Sequence, residues 1–287
     1  MNIKINGNIT DINRAIFLGC SFVAGDELAD HTILGISVKE SDDIKKQMGH
    51  NDYYHDLLYP KLKWPECEDF SKQFSWANKL STKLNVECVN LSRGGGGPEH
   101  STFSAKSFIA NNKVTNRDVV FVGLTFMERL FQFDEFLEGQ VHVINSLITD
   151  RKIKVEELLN FFTLPTLYYN YYSNFSSIID IFAHYGIEVI FVRMIDEHIF
   201  SGYQQQLDKM IEKRATNSLL GFARDFENYV ATVKCLQTRV EERIIDIPSL
   251  SELASKEYTG CGHHGYGHPR EPAHEELATR ICKEIMI

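Results

Sequence analysis

The sequence predicts a three-layer α/β/α fold built on a mainly parallel sheet, and three observations carry that expectation. Short apolar runs at 14–21, 86–92, 118–125 and 187–195 have the length of buried strands. Helix-patterned stretches separate them, and strands alternating with helices in this way give parallel strands with helices on both faces. The chain has 287 residues and is 43% hydrophobic, enough for one substantial core. We expect a single domain over 1–287, with insertions at about 29–70 and 127–150.

In order, "RAIFLGCS" (14–21) is an apolar run that reaches a glycine, as a buried strand would. Residues 29–70 are polar and aromatic, with "WPECEDF" near their end, and read as an insertion rather than a regular element. "FSKQFSWANKLSTKL" sets Phe70, Phe74, Trp76, Ala77 and Leu80 on one helical face, with Leu84 a turn further on. "VECVNLS" (86–92) is the second strand. The "RGGGGPEHS" behind it must be a loop, because four successive glycines support neither helix nor strand. "DVVFVGLT" (118–125) is apolar almost throughout, as a strand covered on both faces should be. Residues 127–150 and 155–185 read mainly as helices, the second rich in Phe and Tyr, including "LYYNYYSNF" (167–175). "IEVIFVRMI" (187–195) is the fourth strand. A long polar helical stretch follows, then "RIIDIP" as a fifth strand or strand-like segment. Residues 272–285 close the pattern as an amphipathic helix with Pro272 in its first turn.

Charge and composition exclude several function classes. A formal charge of −9 and a pI near 5.7 argue against a nucleic-acid binder working through a broad basic face. No stretch approaches the roughly 18 continuous apolar residues of a membrane span. The N-terminal segment lacks the apolar run and cleavage pattern of a signal peptide. Cys20, Cys67, Cys88, Cys235, Cys261 and Cys282 form no CxxC pair and read as reduced thiols. These features point to a cytoplasm; a phage-encoded protein in its host would carry the same ones.

In open parallel sheets the working residues stand in loops at the carboxyl ends of the strands. That rule nominates Cys20–Ser21, Asn90–Gly97, Thr125–Arg129 and the loops after the fourth and fifth strands. A serine nucleophile needs a tight turn at a strand end, a histidine to take its proton and donors aimed at the oxyanion. "LGCSFVAGDEL" supplies Ser21 directly behind a buried strand, between Gly19 and Gly25. "NLSRGGGGPEH" supplies backbone N–H groups that no Cβ shields, and "GLTFMER" puts Thr125 at a strand tip. "GHPREPAHEELA" puts His268 before a proline and the last helix. The alternative use of Cys261, His263, His264, His268 and His274 as a zinc site meets no common ligand spacing. We expect neither metal nor cofactor.

These four stretches together resemble the SGNH hydrolases of the GDSL esterase–lipase superfamily, in the same order and in the same secondary-structure context. "GCSFVAGDEL" resembles the first block, usually Gly-Asp-Ser with a glycine four residues on. "VNLSRGGGGPEH" resembles the second, an Asn followed by the oxyanion glycine, here Gly95. "VGLTFMER" stands where the third block reads Gly-x-Asn-Asp. "GHPREPAHEELA" resembles the last, in which the catalytic histidine precedes proline. The resemblance spans 15–280 and is carried by about 40 residues.

What it implies is an esterase without a cofactor. Ser21 attacks an ester carbonyl, His268 moves the proton, and Gly95 and Thr125 face the oxyanion. The sequence departs from the family at three positions. Cys20 replaces the Asp before the serine, Thr125 replaces the third-block Asn, and Gly265 replaces the Asp three residues before the histidine. A Ser–His pair remains unless Asp246 or Glu271 orients the imidazole. Arg93, Glu128 and Arg129 lie where they could recognise a polar substrate, and a carbohydrate O-acyl (acetyl) ester is favoured over a lipid. Two alternatives stay open, namely an impaired fold that binds a ligand or partner, and an O-acyltransferase using the same residues.

Overall fold

A computed structural model describes residues 2–5, 8–25, 28–49, 52–125, 164–195, 205, 208–209, 222–257 and 268–286. A small antiparallel hairpin comes first, β1 (Asn2–Ile5) and β2 (Asn8–Asp11). The main strands are β3 (Arg14–Leu18), β4 (Glu87–Asn90), β5 (Asp118–Leu124) and β6 (Glu188–Arg193). They form a four-stranded sheet in the order β4-β3-β5-β6, every neighbouring pair parallel.

The helices are α1 (Ser21–Ala24), α2 (Asp30–Leu34), α3 (Val38–Met48), α4 (Trp64–Lys72) and α5 (Trp76–Leu84). A π-helical turn over Tyr53–Leu58 stands between α3 and α4. Then come α6 (Pro98–Asn111), α7 (Leu164–Ala183), α8 (Phe222–Glu241), α9 (Leu250–Glu257) and α10 (Glu271–Ile285).

The expected three layers are present, and the strand sequences explain them. Ala15 and Phe17 of β3, Val119 and Phe121 of β5, and Ile190 and Val192 of β6 face one core. There they meet Trp76 and Leu80 of α5, Leu253 of α9 and Leu277 and Ile281 of α10. The intervening residues Ile16, Leu18, Val120, Val122, Val189 and Phe191 face the other core, under α6, α7 and α8. Both faces are buried, so the strands read as continuous apolar runs rather than alternating ones. Phe17 and Phe121 are register partners, and their rings stack at 5.3 Å while the Trp76 indole meets Phe17 edge-on at 5.3 Å.

Several elements differ from the sequence expectation. Residues 29–70 hold α2, α3, the π-helical turn and most of α4 instead of irregular chain. A capping box at Ser37 and Glu40 starts α3, and the S-x-x-E pattern was there to be read. The helix expected through 70–84 is broken. Ser75, in an extended conformation, donates to the Lys72 carbonyl at 2.7 Å and caps Asn78 N–H, which ends α4 and begins α5.

"RIIDIP" contributes a single parallel bridge, Ile244 to Phe191, because the chain then turns and Ser249 with Glu252 starts α9. The β1–β2 hairpin was not anticipated, although the Asn-Gly at 6–7 between alternating residues is its usual signal. The expected helix and insertion over 127–150, and the part of 155–185 before Leu164, lie outside the described residues. Among the described residues no helix is long and apolar enough to cross a membrane.

Candidate active site

In the order β4-β3-β5-β6 the chain leaves β3 to one side for β4, then crosses back to β5. The gap between the carboxyl ends of β3 and β5 is therefore the topological switch point, where open α/β sheets bind ligands. Ser21 follows β3 and Thr125 follows β5, so the two flank this gap. Ser21 is 3% exposed and Thr125 is wholly buried. Neither hydroxyl, Ser21 Oγ nor Thr125 Oγ1, has a hydrogen-bond partner among the described residues. A buried hydroxyl left without a partner costs about 1–3 kcal/mol, so such groups call for an explanation in what they bind or do.

Ser21 opens α1, whose first turn is tied by Val23 and Ala24 N–H groups donating to the Cys20 carbonyl at 2.9 Å. Cys20, the residue before the serine, is a buried free thiol. Asn90, at the end of β4, braces this turn from beside it. Its amide nitrogen donates to the Val23 carbonyl at 3.1 Å and to Ser75 Oγ at 3.4 Å. Its amide oxygen accepts the Ser92 N–H at 3.1 Å and the Ser92 hydroxyl. One side chain thus links the Ser21 turn, the start of α5 and the glycine loop.

That loop presses on the serine turn through backbone alone. Arg93 N–H donates to the Gly19 carbonyl at 3.3 Å, and a Cβ on Gly96 would lie 2.7 Å from the same oxygen. Gly95 takes φ +73°, a left-handed conformation open to glycine. On the β5 side, a Cβ on Gly123 would lie 2.3 Å from Val23 Cγ2 in α1.

His268 stands just before α10, its ring edge-on at 5.4 Å to Phe22, the residue that follows Ser21 in the chain. Behind it, His274 is fully buried in α10. Its Nδ1 accepts the Trp76 N–H at 3.0 Å, which puts the ring proton on Nε2, and it donates to the Pro269 carbonyl. Burial, with the charges of His268 and Lys79 nearby, pushes His274 down to about 3, so it is a neutral bridge between α5 and the His268 segment.

Of the other residues singled out in the sequence, Arg93 lies in the glycine loop within electrostatic reach of Glu68 and His100. Burial, then Arg93 and Lys72, hold His100 down to about 4, and burial raises the Glu99 carboxyl beside it. Glu271 faces α5, its carboxylate 2.6 Å from Lys79 Nζ, and Asp246 is exposed behind the Ile244 bridge. Glu128, Arg129, Cys261, His263, His264 and Gly265 lie outside the described residues.

Sequence reasoning did not find the pairing of Asp42 with Arg270, or the Glu68 carboxyl accepting the Gly94 N–H. Both are contacts between distant segments with no local signal. A cavity of about 290 Å³ lies beside Leu124, lined also by Tyr171, Tyr172, Arg193, Glu241 and Ile244.

Sheet order, two helical layers and polar groups gathered at the switch point define a doubly wound α/β protein. The architecture is the one that the SGNH resemblance implies. No protein-family model and no curated protein matches the sequence. Among solved structures the chain is similar to that of a carbohydrate esterase described as displaying divergent catalytic and non-catalytic binding functions. The identity is 12% and the TM-score 0.45, over 94% of this chain and 64% of that one.

It is also similar to a lipolytic protein of the G-D-S-L family from Veillonella parvula DSM 2008, at 10% identity and TM-score 0.43, covering 94% and 96% of the two chains. A third likeness is to a putative lipolytic protein of the G-D-S-L family from Desulfitobacterium hafniense DCB-2, at 8% identity and TM-score 0.43, covering 95% and 99%.

Proposed function

We propose that the protein is a serine esterase of the SGNH type, cleaving carboxylic esters through an acyl-enzyme. The observation that carries this reading is the pair of buried hydroxyls without described partners, Ser21 Oγ and Thr125 Oγ1, facing the switch point with His268 against the neighbouring Phe22. Ser21 Oγ adds to the ester carbonyl carbon as His268 takes the hydroxyl proton. Collapse of the tetrahedral adduct expels the alcohol, which receives that proton from His268. Water, activated by the same imidazole, then releases the acid. The oxyanion is met by the backbone N–H groups of Ser21 and Gly95 and by the Thr125 hydroxyl.

The orienting acid would be Asp246 or Glu271. Glu271 would have to leave Lys79 to serve, so the Ser–His pair is the working unit of the proposal. The substrate class favoured is a carbohydrate O-acyl (acetyl) ester rather than a lipid. Arg93, Glu128 and Arg129 would contribute polar contacts to it.

Treatment with a fluorophosphonate probe and mapping of the adduct by mass spectrometry tests this reading. Labelling at Ser21 is expected, and its loss in both Ser21→Ala and His268→Ala. A folded wild type that takes no label would replace the esterase with a ligand-binding protein on the same fold. Labelling at Ser21, together with passage of the acyl group of a supplied ester to an added alcohol rather than to water, would make it an O-acyltransferase.

A further inference from the structure

The helical insertion between Gly25 and Ser75 reaches both halves of the candidate site, and we propose that it is a brace in which Asp42 and Glu68 are positioning residues. This inference rests on the esterase reading for its consequence, though not for its geometry. Asp42 in α3 pairs with the guanidinium of Arg270, two residues beyond His268, with the two side chains only 11% and 19% exposed. The Arg270 carbonyl in turn accepts the N–H groups of Ala273 at 3.0 Å and His274 at 3.3 Å, so the pair fixes the point from which α10 starts. Glu68 in α4 is 7% exposed and its carboxyl accepts the Gly94 N–H, which holds the glycine loop one residue before Gly95. Lys72 at 3.8 Å and the charge of Arg93 face the same carboxyl.

A brace must itself be stiff, and the insertion has its own buried polar network. Asp30 and Lys45 pair at 2.8 Å with both side chains at 5% exposure or less. The Tyr54 hydroxyl donates to Asp30 at 3.0 Å, and the Ser41 and Tyr53 hydroxyls meet at 2.7 Å. Lys45 Nζ lies over the Tyr53 ring at 4.9 Å. A buried ion pair contributes little net stability, but removing one partner strands the other, so it resists rearrangement. On its far side the His268 segment is held by the His274 bridge to Trp76. The histidine is thereby fixed between the insertion and the α5 layer, without any residue of the brace touching the substrate.

The test compares wild type, Asp42→Asn, Glu68→Met and the charge exchange Asp42→Arg with Arg270→Asp, using the full chain. Amide hydrogen exchange is read at 93–97 and 268–274, alongside the rate of fluorophosphonate labelling. In Asp42→Asn, exchange should rise on the order of tenfold at 268–274 alone; in Glu68→Met, which has no oxygen to accept the Gly94 N–H, it should rise at 93–97 alone. Labelling should slow roughly 100-fold in each, the scale of a reacting group displaced by about an ångström. The charge exchange should restore both readouts at 268–274.

Wild-type exchange and labelling in the folded single variants would overturn the brace. So would a folded charge-exchange variant that behaves like Asp42→Asn. If wild type takes no label yet exchange responds as expected, the brace stands and the esterase reading falls.

Discussion

The Thr125 hydroxyl is where this chain departs most instructively from its resemblance. An asparagine would offer an amide at the end of β5; threonine offers one rotatable O–H, fully buried and with no described partner. Replacing it with valine keeps the shape and removes only the donor. Thr125→Val should leave the fold and KM near wild type and lower kcat by about 10²–10³, the usual loss for one oxyanion donor. Steady-state kinetics on any ester the protein turns over would check this, and an unchanged kcat would take Thr125 out of the site. Ser21, Gly95, Thr125 and His268 were marked as candidates by the sequence, because each sits in a short stretch whose residue types fit one chemical task. Asp42, Glu68 and Arg270 were not, since ion pairs and caps between segments separated by many residues leave no trace in spacing.

Elements were legible to the extent that they are buried on both sides. The four main strands stand close to their expected positions, because an apolar run long enough for a strand and too short for a helix has one reading. The break between α4 and α5 was hidden by an uninterrupted hydrophobic face. It is set instead by Ser75, whose hydroxyl bonds backward to Lys72 as well as forward to Asn78. Asn90 joins these elements, and its loss would strand the Ser92 N–H and the Val23 carbonyl at once. Asn90→Ala should destabilise the protein by about 1–3 kcal/mol and slow Ser21 labelling in the remaining folded protein. Urea midpoints with labelling below the transition would show both effects, whereas a loss of stability alone would mean that the staple does not reach the nucleophile turn.

For the molecule as a whole, two histidines buried among the described residues, His100 and His274, bear on how stability responds to acid. His274 is ordinarily half protonated near 6.5 and is pushed down to about 3 by burial; His100 is pushed down to about 4. Below pH 6.5 the unfolded chain binds protons that the native state refuses. Stability therefore falls as pH drops through that window, by up to about 1.4 kcal/mol per pH unit for each group. Glu68 and Glu99, both raised by burial, act in the opposite sense, because the native state keeps their protons where the unfolded chain has lost them. The histidine contribution is isolated by comparison with His274→Asn, whose amide can still accept the Trp76 N–H. Denaturant midpoints between pH 7.5 and 5 should fall less steeply in the variant, and parallel curves would show that His274 does not carry the effect.

The contacts of Gly96 with the Gly19 carbonyl and of Gly123 with Val23 have a consequence for any attempt to redirect the chemistry. Where these three segments meet, each contact has a glycine on one side, and the fit leaves no room for even a methyl group. Randomising those positions would mostly yield chains that no longer close. A library aimed at new substrates would do best to leave these glycines untouched and draw its diversity from positions that carry side chains.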